Sequence, residues 1–327
     1  MADQTEVVAT ETPEEDEKKI RINGFSNISS FMRCKEVHNL EENECVDISI
    51  SGIPFDLGTS YRPGARFGPR SVREASAQLG SRTPHPWGFH PFDILNVIDY
   101  GDCHLKFSKQ ETIKQTIIDH IINITKNGSI PLTIGGDHYI SYPIIAALVE
   151  QNKGPISLIH FDAHSDTWED KNHDSLSHGS MFYKAIKDGL IDVSRSIQIG
   201  IRTWNSDPMG IYQIDAEEAN NMSSESISKK INEYVGLNKA YLTFDVDCLD
   251  PVYAPGTGTP VVGGLTTSHA IGIIRKLAGL NLIGADVVEV SPAYDHSEVT
   301  SLAAATLMRE ILCIIAQTKK DNKTDTS

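Results

Sequence analysis

Short apolar, β-favouring runs recur along the chain, separated by stretches whose apolar positions repeat with a helical period. The runs are VDISISGI (46–53), LNVIDY (95–100), IPLTIGG (130–136), ISLIHFD (156–162), SIQIGI (196–201), AYLTFDVD (240–247) and LIGADVVEV (282–290). Most are near-continuous in apolar character, the pattern of strands buried on both faces. Helical periodicity covers 70–79, 111–127, 139–151, 224–235, 268–277 and 297–316, and a further helix is predicted to start near Met181. Strand alternating with helix predicts βαβ units. The fold class is therefore α/β, with a central, mainly parallel sheet covered by helices on both faces. In such open sheets ligands sit beyond the C-terminal strand ends.

No internal repeat and no Pro- or Ser-rich linker interrupts this pattern, so residues 20–327 read as one domain. Residues 1–19 hold seven acids, two lysines and few large apolar groups, and are expected to form a disordered acidic tail. The last residues, KKDNKTDTS (319–327), are expected to be a short frayed end. Composition changes the picture in two ways. A net charge of −15 argues against nucleic acid and against an anionic membrane surface as partners, and suits a cationic or neutral small substrate. No stretch approaches the roughly 18 consecutive apolar residues of a membrane span, and the acidic N-terminus resembles neither a signal nor a transit peptide. The five cysteines (Cys34, Cys45, Cys103, Cys248 and Cys313) are scattered without CxxC spacing, which speaks against a disulfide framework or a thiolate zinc site. A cytoplasmic location is expected.

The strand ends carry the chemistry. Asp137-His138 follows IPLTIGG, Asp162-Ala163-His164-Ser165-Asp166 ends ISLIHF, Asp245-Val246-Asp247 ends AYLTF, and Glu289 ends ADVV. If the chain stays extended, residues 162, 164 and 166 alternate onto one side, and so do 245 and 247. Acids and imidazoles crowded at a buried strand end would repel one another or stay undersolvated, and a divalent cation removes both problems. One such residue alone is commonly a helix cap or a satisfied core group, and Asp137 fits a cap. Three strand ends with paired ligand types are not explained that way. His138, Asp162, His164, Asp166, Asp245 and Asp247 make six candidate ligands, more than one tetrahedral zinc needs. Six ligands suit two metals about 3.5 Å apart. Their carboxylate majority favours Mn²⁺, with Ni²⁺, Fe²⁺ or Zn²⁺ as alternatives.

GGDH (135–138), DAHSD (162–166), SHGSMF (177–182), FDVDCLDP (244–251), APGTGTPVVGGL (254–265) and EVSPAYD (289–295) together resemble the ureohydrolase (arginase/agmatinase) superfamily. The resemblance runs from about residue 48 to 316, with the motifs in family order. GIRT (200–203), HGSMFYKAI (178–186) and EVSPAYDHSEVTSLAAATL (289–307) are most similar to the agmatinase branch. The resemblance implies a three-layer αβα domain with a parallel sheet of about eight strands. It implies two Mn²⁺ per chain, one on His138, Asp162, Asp166 and Asp245, the other on Asp162, His164, Asp245 and Asp247. Asp162 and Asp245 would bridge, with a hydroxide between the metals. It also implies a homo-oligomer, a trimer or hexamer.

The expected reaction is attack of that hydroxide on a guanidinium carbon, agmatine giving urea and putrescine. Asp166 is expected to orient the hydroxide while it ligates metal. His178 is the candidate proton shuttle, since an imidazole titrates near operating pH; its alternative is a cap or loop-packing role. Glu289 is expected to bind the planar guanidinium fork; its alternative is a strand-end ion pair. GTGTPVVGGL reads as a pocket wall, and WEDKNHDSLS (168–177) and TWNSDPMG (203–210) as rims. The same chemistry on arginine, guanidinobutyrate, guanidinopropionate or guanidine is the near alternative, and a metal-binding relative without turnover the distant one. A two-metal phosphoesterase would need a phosphate clamp. Arg62, Arg66, Arg70 and Arg73 have the spacing of a helix start with ion pairs instead.

Overall fold

Every residue of β2 (Ile48–Ile53), β5 (Ser157–Phe161), β6 (Ile197–Ile201) and β8 (Ala240–Asp245) is buried, as near-continuous apolar runs require. In the computed structural model, which describes residues 29–40, 45–172 and 174–324, these strands share one sheet with five others. The others are β1 (Lys35–Glu36), β3 (Val97–Asp102), β4 (Ile130–Gly135), β7 (Tyr212–Asp215) and β9 (Leu282–Val288). The order is β1-β3-β2-β4-β9-β8-β5-β6-β7, and every neighbouring pair is parallel.

Because side chains alternate along a strand, each strand feeds two cores. Ile159, Phe161, Leu242 and Phe244 face one layer, built on α1 (Gly68–Ser76), α6 (Ser224–Val235), α7 (Thr267–Ile274) and α8 (Val299–Thr324). Leu158, Tyr241 and Val288 face the other, built on α2 (Ile113–Thr125), α3 (Ser141–Asn152) and α4 (Met181–Lys187). The remaining helix, α5 (Ala216–Asn221), follows β7 directly. Helix α8 is long and apolar enough to cross a membrane by composition. However, 67% of its apolar window is buried, and it packs inside the first core.

The α/β class, the three layers and a parallel sheet of about eight strands agree with the sequence reading, with nine strands among the described residues. The two strands not among the seven apolar runs, β1 and β7, lie at the sheet edges. β1 is two residues long, and β7 is only half-buried, so neither presents a continuous apolar run. The C-terminus differs as well. The end expected to fray continues α8 to Thr324, and Lys319 is anchored to Asp47 at 2.6 and 2.7 Å. The acidic tail expected at 1–19 lies outside the described residues.

The topology brings the chemistry together. β4, β9, β8 and β5 are consecutive neighbours in the middle of the sheet. Since all are parallel, the segments after Gly135, Val288, Phe244 and Phe161 emerge along one edge, where strand order reverses.

Candidate metal centre and active site

The six candidate ligands converge, but not by strand alternation. β5 stops at Phe161, and 162–166 is a loop. Asp162 Oδ1 accepts the His164 N–H at 2.6 Å, closing an Asx-type turn. Asp166 then adopts φ +52°, a left-handed conformation unusual for a residue with a Cβ. β8 likewise ends at Asp245, whose Oδ1 accepts the Asp247 N–H at 2.8 Å within the 3₁₀ turn Val246–Cys248. Turn chemistry, not an extended chain, aims these carboxylates. Arg202 holds the second turn from behind, donating to the backbone oxygens of Asp247, Cys248 and Leu249. Cys248 points away, its Sγ 3.5 Å from the Ile199 carbonyl.

Two groups of ligand atoms result. His138 Nδ1 lies 3.0 Å from Asp162 Oδ2, 3.1 Å from Asp166 Oδ2 and 3.3 Å from Asp245 Oδ2. His164 Nδ1 lies 3.0 Å from Asp247 Oδ2 and 3.3 Å from Asp162 Oδ1. Asp162 therefore offers one oxygen to each group. His138 and Asp162 are fully buried, Asp166, Asp245 and Asp247 nearly so, and His164 lies partly open to solvent.

The donor set fits divalent cations. His138 Nδ1 is buried and makes no hydrogen bond among the described residues, although three carboxylate oxygens surround it. Its other nitrogen is spoken for, with Nε2 2.8 Å from Thr243 Oγ1. With Nε2 engaged by Thr243, Nδ1 is the nitrogen left to face a cation; without one, burial opposes protonation of His138 but Asp162, Asp166 and Asp245 raise it well above the usual imidazole range. The charges agree. Burial and the neighbouring Asp247 and Asp162 push Asp245 well above the usual carboxylate range. Burial and Asp162 push Asp247 up to about 6, against the pull of His164. Burial opposes protonation of His164, yet Asp247 and Asp162 raise it to about 12. Without cations, protons must hold these carboxylates together, and two divalent ions would replace them.

Glu289 and His178 flank this centre. Glu289 directly follows β9, also at positive φ (+64°), and is 1% exposed. Its Oε1 accepts from the His138 N–H at 2.9 Å and faces His178 Nδ1 at 2.8 Å, while Oε2 is buried with no partner among the described residues. Burial opposes protonation of His178, but Glu289, and behind it Asp137 and Asp166, raise it to about 9. The Ser60 N–H at 3.1 Å from Nε2 works against that proton, while Ser60 Oγ at 3.0 Å can accept it. A buried carboxylate outweighs one backbone dipole, so the ring holds its proton more tightly than a free imidazole. Asp137 is the N-cap of the turn His138–Ile140, accepting from Tyr139 N and also from Gly58 N.

Described residues of the loops expected around the site are tied into the fold. Thr259 Oγ1 reaches Asp247 Oδ2 at 3.3 Å, and Gly258 leaves room beside Glu289 Oε2. In the rim 168–177, Asp170 pairs with the fully buried Lys184 at 3.3 Å and with Ser180 Oγ at 3.1 Å, so it is bound within the fold. Asn205 ties the second rim to Ser165 and Thr167. Three of the four arginines are engaged in ion pairs, Arg66 with Asp56, Arg70 with Glu74, and Arg73 with Asp99 and Asp102, while Arg62 stacks on the Tyr61 and Tyr294 rings. Sequence reasoning missed His160, whose Nε2 is 2.7 Å from Asp162 Oδ2 and which lies among His138, Asp162 and Asp166. Its period-2 relation to Asp162 on a buried strand was the available signal.

A parallel αβα sandwich with a two-cation cradle at its strand ends defines a recognisable class. The family model described as "Arginase family" matches residues 46–313. An agmatinase of Chromobacterium violaceum is 49% identical over 297 residues, 91% of this chain and 91% of that protein. The crystal structure of a hypothetical agmatinase from Burkholderia thailandensis superposes with a TM-score of 0.89 at 52% identity, covering 91% of this chain and 94% of the other. Proclavaminate amidino hydrolase from Streptomyces clavuligerus superposes with a TM-score of 0.84 at 34% identity, covering 90% and 99%. The chain belongs to the arginase family.

Proposed function

We propose that the protein is an amidinohydrolase that cleaves agmatine to urea and putrescine with two divalent cations bound per chain. The observation that carries this is the unpartnered Oε2 of Glu289 beside a two-cation cradle, in a chain 49% identical to an agmatinase. One cation would take His138, Asp162, Asp166 and Asp245, the other Asp162, His164, Asp245 and Asp247. Divalent cations held there supply Lewis-acid activation of water near neutral pH.

The chain's own residues do the rest. Glu289 accepts guanidinium N–H groups at Oε2, while His138 N–H and the His178 ring hold Oε1 in place. Asp166 orients the attacking water. The amine leaves as an ammonium, and its proton comes from His178 Nε2, with Nδ1 fixed against Glu289. The carboxylate majority supports Mn²⁺ as the working metal, with Ni²⁺ as the alternative. The same reading takes a small cationic guanidino compound as substrate, a homo-oligomer (trimer or hexamer) as the assembly and the cytoplasm as the location.

The test is urea and putrescine release from agmatine by Mn²⁺-loaded protein, with metal-stripped protein as control and arginine and guanidinobutyrate as competing substrates. Metal-dependent release with agmatine preferred is expected. Turnover of another guanidino compound with agmatine inert would overturn the substrate. Two bound metals with no guanidino turnover would overturn the activity.

A further inference from the structure

We propose that His160 and Gln198 form a buried relay that positions the carboxylate of Asp162, and that His160 is not itself a metal ligand. The proposal rests on the reading that Asp162 bridges two cations. By proximity alone His160 belongs to the ligand cluster, since one of its ring nitrogens lies within 4.8 Å of ligand atoms of His138, Asp162 and Asp166. The hydrogen bonds around it say otherwise.

Gln198, on β6, fixes the assignment. Its Nε2 is 2.7 Å from the Ser165 carbonyl oxygen, which can only accept, and 2.9 Å from His160 Nδ1. Its Oε1 accepts from Gln213 Nε2 at 2.7 Å. With the amide oriented by Ser165 and Gln213, both Nε2 protons are donated, one to Ser165 and one to His160 Nδ1. Nδ1 is therefore an acceptor, and the ring carries its proton on Nε2. That proton points at Asp162 Oδ2, 2.7 Å away. A nitrogen that bears a proton has no lone pair for a metal, and the other nitrogen is occupied. Both side chains are fully buried, and the His160 ring packs between His138 at 5.1 Å and Phe182 at 4.7 Å between centroids. Full burial shields these bonds from bulk solvent.

The relay completes the fixing of Asp162. The torsion that turns a carboxylate plane is broad, so an unheld Asp side chain swings. Here Oδ1 is held by the His164 N–H and Oδ2 by the His160 ring. Each oxygen then faces its own cation group, Oδ2 toward His138 and Oδ1 toward His164 and Asp247. The chain Gln213–Gln198–His160–Asp162 extends this control from the edge strand β7 to the centre of the site.

Calorimetric titration of Mn²⁺ into the metal-stripped full chain tests the relay without any substrate. Wild-type protein should take two Mn²⁺ per chain. His160→Phe should weaken at least one site about 10- to 100-fold, and Gln198→Leu should weaken the same site by a smaller factor. His160→Gln, which returns an amide N–H near the place of Nε2, should recover most of the loss. Near-ultraviolet circular dichroism of the metal-free variants reports folding; if His160→Phe fails to fold, Gln198→Leu and His160→Gln carry the test. Wild-type Mn²⁺ affinity in Gln198→Leu, or a His160→Gln variant with metal affinity as poor as unassisted loss of the ring, would overturn the proposal. Inactivity toward agmatine would sink the substrate assignment and leave these metal affinities, and the relay, standing.

Discussion

Replacing Glu289 with Gln tests the substrate-binding and proton-transfer readings at once. Gln preserves the shape and keeps an oxygen where Oε1 accepts from His138 N–H and His178 Nδ1. Those two donors fix the amide orientation, so its NH₂ must replace Oε2. Oε2 is buried and unpartnered, and is the atom assigned to the guanidinium. A charge-assisted hydrogen bond contributes about 1.5–3 kcal/mol, and a donor now faces a donor. A loss near 3 kcal/mol corresponds to roughly a hundredfold fall in kcat/KM. The second effect is on His178, which Glu289 raises to about 9 against the opposing effect of burial. Without that charge the ring gives up its proton at lower pH, and the alkaline limb of the rate profile should move acidward. Urea release measured against agmatine concentration from pH 6 to 10, with metal content assayed in parallel, reads both. An unchanged KM together with an alkaline limb that stays in place would remove Glu289 from the site.

Gly258→Ala should raise KM for agmatine several-fold with metal content intact, because the new Cβ would sit 3.2 Å from Glu289 Oε2 and 3.3 Å from the Arg62 carbonyl oxygen; native kinetics would place the substrate elsewhere. His178→Asn should change how metal-free stability depends on pH. A histidine raised from 6.5 to about 9 contributes stability that is fully present below pH 6.5 and lost as pH rises through 9. Wild type should therefore lose its advantage over the variant near pH 9 in urea denaturation, and a gap that stays constant with pH contradicts the His178–Glu289 pairing. Arg73→Met should destabilise by about 3–5 kcal/mol, since it leaves the buried Asp99, held at 2.8 Å through two oxygens, without its cation. Chemical denaturation measures that loss, and a cost under about 1 kcal/mol would show the pair to be worth no more than a surface bridge.

Much of this was legible because burial on both faces writes itself into sequence. β5 and β8 are recognisable as apolar runs, and a charged residue that interrupts such a run must have a partner. His138, Asp162 and Asp245 stand out as candidates by that logic, and the parallel order of β4, β9, β8 and β5 turns separate strand ends into one edge. The rest depended on geometry with no periodic signal. Alternation placed 162, 164 and 166 on one side for the wrong reason: the chain turns after Phe161, Asp162 accepts from His164 N–H, and Asp166 takes a left-handed conformation. β1 and β7 were lost because edge strands bury little. His160 was passed over because one polar residue inside an apolar run reads as a packing detail. Gln198 was invisible beside it, since only the sheet register pairs it with His160. The same pairing explains why both polar residues are tolerated there. Each would be costly in a buried strand alone, and together with Asp162, Ser165 and Gln213 they leave no donor or acceptor open. A fully satisfied polar chain running under a metal centre holds one carboxylate in one orientation, which an apolar core at that place could not do.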